Sequence, residues 1–462
     1  MSKVPPQVDL SSLYEAQRKI YPREVTGRFN RLRVLAVVAL LGLFYVTPWV
    51  QWDGHQALLF DLPARKFHVF GLTFFPQDFF LLTWLLIIAA LSLFFFTALA
   101  GRLWCGYACP QTVWTQIFVW MERLAEGKRQ QRMKLDKAPW SFEKLWRKAA
   151  KQFMWIAFAL FTGYTFVGYF TPIRELSTSV ATWSVGGWEV FWILFYGFAT
   201  YGNAGHLREQ VCKYMCPYAR FQGAMFDRDT LVIAYDSPRG EPRGSRPRNV
   251  DPRSRNLGDC IDCTLCVQAC PTGIDIRKGL QMECIACAAC IDACDSVMDQ
   301  MGYARGLVTY TTQNATDGKP TRVLRTRTVI YGALLGLLIT GFGFAVASRE
   351  LIELDVLRDR NALYRTLDDG RIENVYTIRI INKDGEAHEM TLHVTGLPSA
   401  SLDTDVATVR IGAGSVVSVP VRLRVPAGST SGSVTAQIEA RAIDGSDHIV
   451  VSPARFIAPS SE

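Results

Sequence analysis

The sequence reads CIDCTLCVQACP at residues 260–271 and CIACAACIDACD at residues 284–295. Each stretch spaces its four cysteines as C-x2-C-x2-C-x3-C. In bacterial ferredoxins this spacing lets three thiolates bind one 4Fe-4S cluster while the fourth binds the neighbouring cluster. The doubled spacing therefore predicts two 4Fe-4S clusters with exchanged fourth ligands. The first cluster is assigned Cys260, Cys263, Cys266 and Cys294, and the second is assigned Cys284, Cys287, Cys290 and Cys270.

Zinc is the alternative metal for closely spaced cysteines. Zinc knuckles use two C-x2-C pairs separated by a longer loop and do not need three cysteines in succession. The doubled spacing therefore favours iron-sulfur clusters over zinc. The second stretch ends in Asp295 where the first has Pro271. The spacing therefore predicts that Cys294 is a cluster ligand, but it does not predict the backbone fold around Cys294 equally well.

The chain of 462 residues is long enough for about three domains, and its hydrophobic fraction of 49% is high for a purely soluble protein. Apolar residues concentrate in five runs, each near the ~20 residues that a membrane-spanning helix needs. These runs are residues 34–50, 79–99, 152–170, 188–204 and 329–347. The first run lacks a small-residue cleavage site, so it is predicted to be a retained anchor and not a signal peptide.

Basic residues predict the orientation of these spans. They are dense before residue 34 and between residues 128 and 151, and they are sparse in the loops that follow the first and third spans. By the positive-inside rule, the N-terminus, the loop 100–151 and the segment 208–327 are cytoplasmic. The tail from residue 348 is then outside. It contains no cysteine, so all twelve cysteines lie on the reducing side and are predicted to be metal or redox ligands.

Charge and histidine content exclude two other functions. The formal net charge of +8 arises from basic residues that flank membrane helices, so nucleic-acid binding is not indicated. Only His206, of six histidines, lies at the end of a predicted span, whereas a membrane b-type haem needs histidine pairs inside spans. His206 is predicted either to pack at the helix end or to support Cys212.

A second cysteine motif occurs twice at the ends of predicted spans. Residues 105–110 read CGYACP and residues 212–217 read CKYMCP, which is the phrase C-x-Y-x-C-P. Such repeats are typical of membrane proteins built from two related halves. If each segment is helical, cysteines four residues apart share one face. The two pairs, Cys105 with Cys109 and Cys212 with Cys216, are predicted to converge on one soft metal ion.

Copper is the favoured ion because thiolates prefer Cu(I), zinc and iron-sulfur clusters, and these four thiolates accompany a ferredoxin. Met121, Met215 and Met225 are candidate thioether ligands, although methionine at such spacings more often fills a core. A single C-x3-C pair at a helix end would more often be packing, and the repeat favours the ligand role.

Two further segments complete the chain. Residues 236–256 are rich in proline and arginine and predict a stiff, solvated linker, with contact to anionic headgroups as the alternative. After residue 348, apolar and polar residues alternate between turn signals such as Lys383-Asp384-Gly385 and Asp444-Gly445. This pattern predicts a β-sandwich of about 100 residues without a catalytic constellation. Docking to a membrane partner and passive stabilisation are both compatible with it.

The doubled ferredoxin spacing, the repeated C-x-Y-x-C-P, the five spans and the cysteine-free β tail together resemble the cytochrome c oxidase accessory protein family (CcoG, FixG or RdxA), which is of the membrane polyferredoxin type. The resemblance covers nearly the whole chain. It implies a cupric reductase in the bacterial inner membrane that supports maturation of cbb3-type cytochrome oxidase. The implied partners, besides the lipid bilayer, are a cytoplasmic electron donor, a copper chaperone or transporter and oxidase assembly components. A homo-oligomer is compatible with the sequence.

The predicted fold is a polytopic α-helical membrane protein of about five spans, with a cytoplasmic two-cluster ferredoxin domain of bacterial type and a C-terminal Ig-like β-sandwich. The predicted domains are a cytoplasmic tail at 1–33, a four-span region at 34–207, a cytoplasmic segment at 208–327 with the ferredoxin at about 256–300, a fifth span at 328–347, and a periplasmic sandwich at 348–462.

The predicted activity is that of an oxidoreductase. A cytoplasmic donor reduces the clusters, which pass electrons to Cu(II) held by Cys105, Cys109, Cys212 and Cys216. A quinol-linked relay to another reductase and a noncatalytic assembly scaffold are the alternatives. A copper transporter is disfavoured because the spans lack the polar or thiolate residues that a path through the membrane needs.

Overall fold

The computed structural model describes residues 19–248, 250–360, 362–404, 407–446 and 448–459. Of the predicted tail 1–33, residues 1–18 lie outside the described residues. Contacts divide the chain into two compact units. The first unit comprises Met1–Thr47, Ile87–Val167 and Ser177–Leu337, and the second comprises Pro48–Leu86, Gly168–Leu176 and Leu338–Glu462.

The α-helices are α1 (Arg28–Val46), α2 (Phe79–Ala100), α3 (Leu103–Tyr107), α4 (Pro110–Glu126), α5 (Arg129–Lys137), α6 (Phe142–Val167), α7 (Ile173–Ala181), α8 (Gly187–Thr200), α9 (Pro217–Met225), α10 (Ser237–Gly240), α11 (Leu265–Ala269), α12 (Ala289–Met301), α13 (Gln313–Thr316) and α14 (Thr326–Ala347). Two π-helical segments, Tyr201–Leu207 and Val211–Met215, lie between α8 and α9.

The strands are β1 (Gln51–Trp52), β2 (His55–Gln56), β3 (Leu58–Asp61), β4 (Lys66–Val69), β5 (Leu72–Phe74), β6 (Val232–Tyr235), β7 (Val308–Thr311), β8 (Ile352–Arg358), β9 (Arg365–Thr366), β10 (Ile372–Asn382), β11 (His388–Thr395), β12 (Ser401–Thr404), β13 (Val409–Ile411), β14 (Val416–Val425), β15 (Ser433–Ala442) and β16 (Ile449–Ile457).

Three helices within the described residues are long and apolar enough to cross a membrane, namely Arg28–Trp49, Pro76–Ala100 and Thr326–Ala347. They coincide with the first, second and fifth predicted spans. The third and fourth predicted spans fall on α6 and α8, which are helical. The count of five spans stays a prediction.

Helices α6 and α8 pack against each other through glycine. A Cβ atom at Gly163 of α6 would lie 2.3 Å from the Ile193 carbonyl oxygen and 2.9 Å from the Gly197 nitrogen. Only glycine permits this separation, and small residues at such contacts are typical of helix pairs inside membranes.

The ferredoxin region of the first unit contains α11, α12 and the antiparallel pair β6–β7. Its core includes Ile233, Met298 and Leu307, which are each 1% exposed. Helix α12 also supports the first membrane helix, because the buried Asp292 carboxylate accepts hydrogen bonds from the backbone N–H groups of Phe29 and Asn30 at 3.2 and 2.7 Å. A carboxylate at this position satisfies free N–H groups and complements the helix dipole at the start of α1.

The segment 236–256 is largely exposed, as a solvated linker should be, but two of its arginines contact the ferredoxin. Arg246 is 7% exposed and donates a hydrogen bond to the Cys260 carbonyl at 3.4 Å. Arg239 pairs with Asp259 at 2.6 Å. Arg239 and Arg246 therefore attach the segment to the ferredoxin, because both find acceptors there.

The second unit contains the predicted β-sandwich. One sheet has the strand order β12-β14-β10-β8, with β9 also paired to β10, and the other has the order β13-β11-β15-β16. All of these pairings are antiparallel. Alternate residues such as Ile378, Ile380 and Leu423 are fully buried, as the two-residue period predicts.

A buried ion pair joins the sandwich to the start of α2 within the second unit. Lys383 lies 2.8 Å from Asp78 and 3.0 Å from Glu353, and Lys383 and Asp78 are 7% and 6% exposed. The pairing compensates two charges that would otherwise be buried alone.

We expect Lys383→Met to lower the unfolding free energy by about 3–5 kcal/mol, because it leaves a buried carboxylate without its cation. Thermal unfolding of the detergent-solubilised chain measures the effect. Lys319→Met, at an exposed lysine, is the control. Equal unfolding temperatures for the two variants would contradict this expectation.

Candidate metal centres

Four cysteines line one cavity of the ferredoxin region. They are Cys260, Cys263, Cys266 and Cys294, the set assigned to the first cluster. Cys294 reaches this cavity from α12, although it belongs to the second cysteine run. Most of the remaining lining side chains are apolar, namely Ile261, Val297, Met298, Leu307 and Val308, and Tyr235, Thr264 and Arg277 also line the cavity.

A second cavity is lined by the other predicted set, Cys270, Cys284, Cys287 and Cys290. Cys266 borders this cavity as well, so the two cavities are neighbours. Burial raises the pKa of Cys284 to about 12, so that its free thiol is neutral at physiological pH. Four sulfur donors around an apolar cavity fit a 4Fe-4S cluster, which binds thiolates after their protons are released.

The two cysteine runs share one backbone conformation. Asp262 and Thr264 in the first run have φ values of 53° and 59°, and Ala286 and Ala288 at the equivalent positions of the second run have 51° and 58°. Non-glycine residues adopt the left-handed region rarely. Backbone turns that include it can direct successive N–H groups into a concave surface that attracts anions. The repeated conformation therefore suits a cluster with anionic sulfur.

The repeated C-x-Y-x-C-P motif also has a repeated structure, which differs from one continuous helix. Cys109 and Cys216 have extended backbones, and Pro110 and Pro217 begin α4 and α9. Proline suits the first position of a helix because its missing N–H would have no partner there. The cysteines of each pair therefore lie on two sides of a helix break.

The structure brings the four motif cysteines together. Burial, together with the nearby Cys109, Cys105 and Cys216, raises the pKa of Cys212 to about 12. The amide of Gln222 in α9 donates a hydrogen bond to the Cys105 sulfur at 3.3 Å. The two halves of the repeat thus contribute to one thiol cluster, which we call the thiol site.

The thiol site adjoins the second cysteine run. A Cβ at Gly106 would lie 2.7 Å from the Ile285 carbonyl oxygen and 2.9 Å from the Cys287 Cα. The Arg102 guanidinium, 6% exposed, donates hydrogen bonds to the carbonyl oxygens of Met282 and Cys284 in the second run and of Ala219 in α9. The loop that carries Cys284 and Cys287 is therefore fixed against the thiol site.

The surroundings of the other candidate ligands are as follows. Met121 packs with the apolar cluster of Phe118, and Met215 is 59% exposed. The Met225 carbonyl accepts a hydrogen bond from Arg327. The His206 ring packs against aromatic rings, 5.8 Å from Trp155 and 4.9 Å from Tyr201, which is the helix-end packing alternative.

Sequence reasoning did not identify Arg102, Gln222 or Gly106. An arginine after an apolar run is ordinary at a membrane boundary, so Arg102 gave no specific signal. Gly106, inside the cysteine motif, was the one residue of the three that the sequence could have indicated, because glycine often marks a close approach of two backbones.

The chain is similar to curated bacterial proteins over most of its length. It is 39% identical over 427 residues to the nitrogen fixation protein FixG of Rhizobium meliloti (strain 1021), covering 84% of this chain and 82% of FixG. The chain belongs to the FixG/RdxA family. Two proteins of Cereibacter sphaeroides are also similar. RdxB is 41% identical over 414 residues, covering 87% of each chain, and RdxA is 39% identical over 424 residues, covering 87% of this chain and 89% of RdxA.

Family models match three parts of this FixG/RdxA-family chain. A 4Fe-4S dicluster domain matches residues 207–313, a 4Fe-4S binding domain matches residues 81–129, and the IG-like fold at the C-terminal of FixG matches residues 342–459. A solved FixG-related protein from Vibrio parahaemolyticus is 29% identical over 24% of this chain and 97% of its own, with a TM-score of 0.22. The family resemblance, the iron-sulfur content and the Ig-like domain are confirmed. The chain is a membrane-bound iron-sulfur protein of electron transfer.

Gly106→Ala is expected to reduce the iron content from ~8 towards ~4 per chain, because the new Cβ displaces the loop of Cys284 and Cys287. Iron and acid-labile sulfide are measured after anaerobic purification. Gly187→Ala is the matched control, since a Cβ there meets nothing within 4 Å. Full iron and sulfide in Gly106→Ala would show that this contact does not support the second cluster.

Proposed function

We propose that this chain reduces Cu(II) to Cu(I) at Cys105, Cys109, Cys212 and Cys216, with electrons that arrive through two 4Fe-4S clusters. The observation that carries the proposal is the convergence of four thiols from two halves of the chain beside the second cysteine run. Soft sulfur ligands favour Cu(I) over harder cations, so the thiol site favours the reduced product.

The clusters, when bound, supply one electron at a time. The residues of the chain position the two sites and release protons. Gly106 and Arg102 hold the loop of Cys284 and Cys287 next to the thiol site, so the electron crosses a short distance. Buried neutral thiols release protons when they bind copper. One Cu(II) gains one electron and one cluster loses it.

The electron donor and the destination of Cu(I) are proposed from the family resemblance. A cytoplasmic donor reduces the clusters, and a copper chaperone or transporter takes Cu(I) towards the assembly of cbb3-type oxidase. The dense basic segments support the cytoplasmic side for the clusters and for the N-terminus.

An electron relay through a further iron-sulfur centre is the second candidate function. The 4Fe-4S binding domain model covers residues 81–129 and so includes Cys105 and Cys109. Within the described part of the chain, no three of the thiol-site sulfur atoms lie within 4.8 Å of one another. A single ion with bonds of ~2.3 Å would hold them closer than that. For copper, the thiols must therefore move inward on binding.

Replacement of all four thiol-site cysteines by alanine distinguishes the two candidates. For a cupric reductase, we expect iron and cluster absorbance near the wild-type level and loss of the Cu(II)-dependent oxidation of dithionite-reduced clusters. Met215→Leu, at the exposed methionine inside the motif, is the control and should retain the oxidation. Unchanged oxidation in the quadruple variant would move copper reduction elsewhere. Loss of ~4 iron would favour the relay.

The predicted orientation is tested by reporter fusions. Alkaline phosphatase fused after Glu462 should be active in the periplasm, and the same reporter fused near Asn314 should be inactive, because charge asymmetry places these sites on opposite sides. The reverse pattern would place the cysteines in an oxidising compartment, which the proposed function does not permit.

A further inference from the structure

Three metal-binding side chains meet at one end of the β-sandwich. They are Asp384, His388 and His448, and one ligand atom from each lies within 4.8 Å of the other two. Asp384 follows β10 in a turn, His388 begins β11, and His448 directly precedes β16.

Strand β11 fixes the position of His388, and His448 lies in the loop immediately before β16. Strands β11 and β16 both pair with β15, so the two histidines belong to neighbouring parts of one sheet. His388 also pairs with Ile411 of β13 and is 4% exposed. Sites on strands keep their geometry better than sites on loops.

The hydrogen bonds of His388 orient its ring as in protein metal sites. Its Nδ1 lies 2.8 Å from an Asp444 carboxylate oxygen. Asp444 is itself fixed, because it accepts hydrogen bonds from the backbone N–H and the hydroxyl of Ser446 at 3.0 and 2.6 Å. Metal-binding histidines commonly donate the second ring N–H to such a carboxylate. This arrangement leaves Nε2 available as a ligand.

The second ring nitrogen of His388 faces another carboxylate. The Nε2 atom of His388 lies 3.2 Å from an Asp384 carboxylate oxygen. Two ligands at this separation fit an ion with bonds of about 2.0–2.2 Å and an angle of about 100° between them. The His448 ring lies beside the pair, with its centroid 5.1 Å from that of His388 and the two planes at 79°.

We propose that Asp384, His388 and His448 bind one divalent transition-metal ion, with Asp444 as the group that orients His388. Two imidazoles and a carboxylate suit copper and zinc, and Cu²⁺ binds most tightly in the order of first-row ions. An imidazolium of His388 between Asp384 and Asp444 would explain the two carboxylates. It would not explain a second imidazole beside that cation, whereas a shared metal ion explains all four groups.

The test uses the full chain in which Cys105, Cys109, Cys212 and Cys216 are replaced by alanine, so that the thiol site does not compete for copper. Cu²⁺ is added to the protein with oxidised clusters, and binding is followed by equilibrium dialysis and electron paramagnetic resonance. We expect one Cu²⁺ per chain with hyperfine coupling from two imidazole nitrogens. Because this variant lacks the thiol site, the result does not depend on the proposed cupric reductase.

His448→Gln in the same background should remove this copper signal, and His393→Gln should retain it. His393 is the matched control, since it lies on β11 and is exposed, with a hydrogen bond to Thr391. Asp444→Asn should keep one Cu²⁺ per chain with an affinity about 10-fold to 100-fold weaker.

Thermal unfolding without copper separates ligation from folding. Equal unfolding temperatures for His448→Gln and His393→Gln assign a lost copper signal to the missing ligand. Uptake of one Cu²⁺ with the same nitrogen coupling in His448→Gln would overturn the proposal. Absence of stoichiometric uptake in the parent would do the same and would leave the ion-paired imidazolium as the role of His388.

Discussion

The close contact between Gly106 and the Ile285–Cys287 backbone is the constraint on which the first unit depends. A side chain at this position would force the membrane-edge motif and the second cysteine run apart, because its Cβ would lie 2.7 Å from a backbone carbonyl oxygen. Arg102 secures the same contact with hydrogen bonds to carbonyl oxygens on both sides. An arginine buried at this position satisfies acceptors that loops and helix ends leave free. The second cysteine run and the thiol site therefore lie next to each other in one compact unit.

Repetition is the second organising feature. The two ferredoxin runs place left-handed residues at equivalent positions, and the two C-x-Y-x-C-P motifs each break a helix before a proline. Each ferredoxin run contributes three cysteines to one cavity and one cysteine to the other, and each C-x-Y-x-C-P motif contributes two cysteines to the thiol site. Each site therefore needs cysteines from both copies of a repeated segment, and one copy alone does not complete it.

The sequence predicted those features that follow from local spacing. Cysteine spacing predicted which residues share a cavity, and alternation predicted buried positions such as Ile378 and Leu423. Contacts between distant segments were not predictable. Asp292 meets Asn30 across 262 positions, and Arg102 meets Cys284 across 182. Segment 236–256 has the composition of a linker. Only the folded structure shows that Arg239 and Arg246 have hydrogen-bond acceptors on the ferredoxin. The imidazoles His388 and His448 are 60 residues apart and became neighbours through strand pairing that no spacing rule encodes.

The carboxylate of Asp292 has a consequence for biogenesis. It stands between Cys290 and Cys294, yet it satisfies the first backbone N–H groups of α1, a helix synthesised more than two hundred residues earlier. The start of α1 thus lacks this hydrogen-bond acceptor until the second cysteine run has been synthesised and has folded against it. Folding of the second cysteine run and completion of the start of α1 are therefore coupled, because one carboxylate serves both segments.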